Sequence, residues 1–127
     1  HPEVSMATDT LLIGIGKPSY LFYGCFPRFL GHHVRQMGLV DLETAIRKCT
    51  LLPAESAGFR DRGKLAGGCF ADVVIFDREG IGTDANFQKP DQFPRGIDHV
   101  LINGKVVLDR GVYDDAALAG MVLRRGQ

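Results

Sequence analysis

The chain has 127 residues, with 15 Lys and Arg against 15 Asp and Glu, and a formal net charge of zero. That balance leaves no basic footprint for nucleic acid, and no apolar run approaches the ~18 residues of a membrane span. The length is one domain's worth and short of the roughly 200 residues that a complete (β/α)8 barrel needs. The polar start, His1-Pro2-Glu3, lacks an initiator Met, so it reads as a processed end, a boundary or a cut from something longer, with no visible signal peptide. Cys25, Cys49 and Cys69 are odd in number and widely spaced, which argues against a disulfide framework and for a reducing compartment, the cytoplasm.

Val4-Ser5-Met6-Ala7-Thr8 alternates apolar residues and predicts a short strand, with Asp9 at or just past its C-terminal end. A lone Asp after a strand is ordinarily a turn or cap residue. Leu11 to Tyr23 is a loop rich in glycine and apolar residues, and Lys17 within it reads as a solvated loop lysine. Pro27 is placed to open a helix, because a missing N–H is tolerated there. Phe26, Phe29, Leu30, His33, Val34 and Met37 follow at helical spacing, and Gly38 ends the run. His32 and His33 are adjacent, about 100° apart on a helix, which is poor geometry for chelating one ion. His33 lies on the apolar stripe and reads as a core or interface histidine rather than a ligand.

Asp41 is a good N-cap for the next helix, in which Leu42, Ala45, Ile46 and Cys49 form one apolar stripe. Glu43 comes early and Arg47-Lys48 late, as the helix dipole prefers. Pro53 starts a short helix closed by Gly58. Cys49 reads as a small buried apolar residue, and nothing marks Cys25 as activated. Gly63 to Asp77 reads as two short strands joined by a Gly67-Gly68 turn. The unbroken run Val73–Phe76 fits a strand buried on both faces. Arg78 to Gly96 has no periodicity; Phe87 and Phe93 are candidate aromatic anchors. Ile97–Ile102 and Lys105–Asp109 are strands joined by Asn103-Gly104, the strongest short hairpin signal. The tail reads as helical from Asp115. The four histidines, His1, His32, His33 and His99, have no chelating spacing, and no Cys-x-x-Cys pair is present, so no tight zinc site is expected in this chain alone.

Taken together, Arg62-Gly63-Lys64-Leu65, Gly68, Ala71-Asp72-Val73-Val74-Ile75-Phe76-Asp77 and Val100-Leu101-Ile102-Asn103-Gly104-Lys105-Val106-Val107 resemble the C-terminal segment of metal-dependent amidohydrolases. Gly24-Cys25-Phe26-Pro27-Arg28-Phe29-Leu30-Gly31, Leu42-Glu43-Thr44-Ala45-Ile46-Arg47-Lys48 and Leu52-Pro53-Ala54 narrow the resemblance to the N-acyl-D-amino-acid deacylase (D-aminoacylase) branch. It covers nearly the whole chain and is specific as a set.

The resemblance implies an α/β and β fragment. Residues 1–60 would be the last strand and C-terminal helices of a (β/α)8 barrel, and residues 61–127 a small C-terminal β-sandwich domain with a long loop at 78–96. It implies a zinc-dependent hydrolase that cleaves N-acyl-D-amino acids to a carboxylate and the free D-amino acid. Asp9 falls where the family's aspartate takes the proton from the attacking water and often touches the metal, although this chain reads Thr8-Asp9-Thr10 where the family more often has Ser-Asp-Gly. The family's pocket loop carries an arginine for the substrate carboxylate. Here Lys17-Pro18-Ser19 stands instead, and Lys17 would supply a charge without a bidentate fork. The family's metal ligands come from earlier strands, so the chain alone is expected to be inactive and metal-free. Its unpartnered apolar surface predicts self-association. Two alternatives stand beside this reading: a non-catalytic structural or interaction module derived from the same fold, and a cyclic-amide-type amidohydrolase.

Overall fold

A computed structural model describes residues 1–9 and 18–124. These group into two compact units, each discontinuous in sequence. One comprises the described residues of His1–Met6, Ile46–Phe76 and Ile97–Gln127; the other comprises those of Ala7–Ala45 and Asp77–Gly96. Each unit therefore takes chain from both sides of residue 60.

The second unit is built from helix and loop. Helix α1 is Leu21–Arg28, followed directly by a π-helical stretch, π1, Phe29–Gln36. The helix thus starts six residues before Pro27. Ser19 explains the start: its hydroxyl accepts the Leu21 N–H (3.3 Å) and its carbonyl the Phe22 N–H (2.9 Å). Pro27 lies inside the helix and cannot supply its rung of the ladder. Beyond it the helix widens, and at its end the Met37 N–H reaches the His32 carbonyl, five residues back (2.9 Å). Gly38 ends the run at φ +63°, as predicted.

The loop 78–96 folds onto this helix. A Cβ at Gly31 would lie 2.3 Å from the Ile81 carbonyl oxygen, so only glycine permits the approach. Arg35 Nη1 donates to the carbonyls of Arg78 and Ile81, both at 2.9 Å. Gly82 and Arg95 exchange two backbone hydrogen bonds (3.2 and 3.0 Å), and the Asp77 N–H closes the loop onto the Gly96 carbonyl (2.8 Å). Tyr20 meets Phe87 edge-on at 4.7 Å and Tyr23 meets Phe93 at 5.5 Å, so the expected aromatic anchors are present, with both phenylalanines still largely exposed. Ile81 and Ala85 form the loop's buried part.

Two further helices follow: α2, Leu42–Cys49, and α3, Leu51–Ala57. Asp41 caps α2 as predicted, its carboxylate accepting the Thr44 N–H (2.7 Å) and hydroxyl (2.9 Å). Helix α3 begins two residues before Pro53, which sits in the first turn where no N–H is needed. Gly58 ends it in the left-handed conformation.

The first unit carries a four-stranded antiparallel meander in the order β1-β2-β3-β4. The strands are β1 Val73–Phe76, β2 Ile97–Ile102, β3 Lys105–Asp109 and β4 Val112–Tyr113. Asn103 (φ +50°) and Gly104 (φ +80°) form the two-residue turn between β2 and β3, pairing Ile102 with Lys105. A second two-residue turn, Arg110-Gly111 (φ +47° and +78°), joins β3 to β4.

Four sequence expectations in this unit are corrected. Val4–Thr8 is not a strand: its anchored backbone groups go to Lys48 rather than to a ladder, as described below. Gly63–Ala66 is not a strand either; Arg62 is held by polar partners, and only the Gly67-Gly68 turn survives, closed by the Cys69 N–H on the Ala66 carbonyl (3.1 Å). Strand β1 is not buried on both faces. Among the described residues it is an edge strand paired only with β2, leaving Val74 53% and Ile75 49% exposed, so a charge at Val74 would not be a buried one. The tail after Asp114 is turn and irregular chain, without a helix through Arg124, and β4 forms where no strand was expected. Among the described residues the strands make one sheet.

Candidate functional site

Asp9 is described and exposed, in irregular chain that begins at His1. The start of that segment is tied down by α2. The Met6 N–H donates to the Lys48 carbonyl (2.9 Å), and Lys48 Nζ donates to the carbonyls of His1 (2.5 Å), Pro2 (3.2 Å) and Val4 (2.8 Å). An ammonium has three protons, and here each finds a carbonyl. The sequence pointed to Lys48 only as a last-turn cation. Its partners lie 44 to 47 residues away, so no local pattern could have announced them. Lys17 lies outside the described residues.

The histidines of π1 are close but not convergent. The rings of His32 and His33 are 5.0 Å apart and edge-on, and His32 Nδ1 bonds Gln36 Oε1 at 2.8 Å. His33 stacks near Phe29 at 6.3 Å, and its Nδ1 is buried without a hydrogen-bond partner. His33 is half-buried on the helix rather than in the core, and that nitrogen is left without a partner. His99 is committed elsewhere, with Nδ1 3.1 Å from Asp109 Oδ1 across the β2–β3 ladder. Burial pushes the Cys25 thiol up from its ordinary value, which disfavours the thiolate a nucleophile needs. Among the described residues no three His, Cys, Asp or Glu side chains gather as a metal site.

The densest polar cluster surrounds Arg62, which is only 8% exposed. Its Nη1 pairs with Asp72 Oδ2 and its Nη2 donates to Asn103 Oδ1 (2.7 Å) and to Met121 Sδ (3.2 Å). The guanidinium also lies over the Phe70 ring, 4.2 Å from its centre. Asp72 Oδ1 accepts the Asn103 N–H (2.8 Å), Asn103 Nδ2 donates to the Ala119 carbonyl (2.6 Å), and the Gly104 N–H donates to the Ala71 carbonyl (2.9 Å). These are the residues of the Arg62, Ala71-Asp72 and Asn103-Gly104 motifs. Their groups satisfy one another and leave no spare donor set for a ligand, so the cluster is a clasp between the residues before β1, the hairpin and the tail. Beside it, a hollow of about 480 Å³ is lined mainly by Ile46, Leu65, Val74, Phe76, Val100 and Ile102. Its lining is mostly apolar, with Thr50, Lys64 and Asp72 as its polar side chains. Among the described residues no helix is long and apolar enough to cross a membrane.

Of the residues the sequence singled out for chemistry, the structure describes Asp9 as an exposed carboxylate. Comparison with known proteins gives it a context. A model of the amidohydrolase family matches residues 2–108. The chain is 41% identical over 123 residues to N-acyl-D-glutamate deacylase of Alcaligenes xylosoxydans xylosoxydans, covering 97% of this chain and 25% of the relative. A solved structure of D-aminoacylase, described as defining a novel subset of amidohydrolases, superposes with a TM-score of 0.81 at 39% identity, over 85% of this chain and 23% of that one. N-acyl-D-glutamate deacylase of Bordetella bronchiseptica, solved with zinc and a phosphonate mimic of the tetrahedral intermediate, gives 0.70 at 41% identity, over 71% of this chain and 19% of that one. The chain spans about a quarter of the length of the curated relative it matches. This chain belongs to the amidohydrolase family, in its N-acyl-D-amino-acid deacylase branch.

Proposed function

We propose that this chain is the C-terminal part of a zinc-dependent enzyme that hydrolyses the amide bond of N-acyl-D-amino acids. The observation that carries the reading is the 41% identity to a deacylase of that class across 97% of the chain. In this reading residues 1–60 complete a barrel and residues 61–127 form the β-domain beside it, one sheet of a sandwich. The zinc belongs to residues elsewhere in the protein, and no step is assigned to it here. Asp9 is the general base: its carboxylate takes a proton from the attacking water and returns it to the leaving amine. It could also touch the metal once the missing ligands are present. Lys17 supplies a charge for the substrate carboxylate, a point charge rather than a fork. Separated from the rest of the enzyme, the chain self-associates through its exposed apolar surface, lacks tight zinc and has no turnover.

Asp9→Asn in the complete enzyme keeps shape and removes the base, so kcat should fall by about 10²–10⁴ with zinc content unchanged. Full turnover by that variant would sink the role of Asp9. Stoichiometric zinc and turnover in the purified 127-residue chain would sink the fragment reading, and a strictly monomeric species in light scattering at micromolar concentration would sink self-association.

A further inference from the structure

We draw no further inference here: the strongest candidate, the apolar hollow beside the Arg62 clasp that Ile46, Leu65, Val74, Phe76, Val100 and Ile102 line, is an unpartnered surface of a chain that spans about a quarter of the curated relative it matches, and nothing in the structure shows what covers it.

Discussion

The two compact units are held by different means. In the sheet unit, backbone ladders run between strands that are neighbours along the chain, and the Arg62 clasp locks the hairpin to the residues before β1. In the helix–loop unit, the loop 78–96 has one isolated backbone bridge and depends on long-range side-chain contacts and on close approach at Gly31. The first unit is specified by hydrogen-bond geometry that a short sequence can encode. The second depends on matched surfaces that arise only when distant segments meet. This is the general contrast between a meander, whose contacts are local, and a loop that must pay closure entropy before its contacts form.

Removing Arg62 should weaken the first unit most. Arg62 itself is only 8% exposed, and Arg62→Met leaves Asp72 without its cation and Asn103 Oδ1 without its donor. Losing one partner of a buried pair costs ~3–5 kcal/mol, and the partial exposure of Asp72 lowers the expectation to ~2–3 kcal/mol, read as a fall in the midpoint of denaturant unfolding. An unchanged midpoint would mean that the clasp decorates a sheet already stable without it.

Gly31→Ala addresses the second unit. An ordinary helical glycine gains stability on replacement by alanine, but here the new methyl would meet the Ile81 carbonyl at 2.3 Å. A net loss of about 1–3 kcal/mol is expected from the forced displacement. Hydrogen exchange should quicken across residues 78–96 and leave the β2–β3 amides protected. Uniform quickening across both units would erase the distinction between them.

Gly104→Ala should cost about 1 kcal/mol by forcing a Cβ into the left-handed region at φ +80°. The nearest atom to that Cβ is the Ala71 methyl at 4.0 Å, so strain rather than crowding sets the cost. A larger loss in thermal denaturation would show that the hairpin lacks the slack its open surroundings imply.

The smallest effect belongs to the Asp41 cap. Its hydrogen bonds from Thr44, backbone first, hold its carboxyl below the usual carboxylate value. A depressed folded-state value means the contribution is present above the ordinary aspartate range and lost as pH falls through the folded value. Asp41→Ala should therefore lower the thermal midpoint slightly at neutral pH. The difference should shrink in strong acid, where the wild-type carboxyl is protonated; a difference constant with pH would remove the ionised cap from the account.

These contrasts follow what was legible in the residues. Val73–Phe76, Ile97–Ile102 and Lys105–Asp109 were readable because β-branched runs and an Asn-Gly pair act over two to six residues. The Asp41 cap and the glycine stops at Gly38 and Gly58 were readable for the same reason. The helix start at Leu21 was hidden because Pro27 looked like an opening residue, whereas the chain turns into the helix at Ser19, whose hydroxyl accepts the Leu21 N–H. Strand β4 was hidden because its turn places Arg110, not a usual residue, at φ +47°.

Sequence by itself determined the hairpin register, the helix stops at Gly38 and Gly58 and membership of the deacylase branch, since each rests on short patterns or on shared motifs. Tertiary structure alone decided that Arg62, Asp72 and Asn103 form one satisfied clasp and that β1 is an exposed edge. It also decided that Lys48 takes the carbonyls of His1, Pro2 and Val4. In each case the partners are separated by 10 to 47 residues. Burial and hydrogen-bond satisfaction are properties of what folds back against a residue, and no window of sequence contains its own neighbours in space.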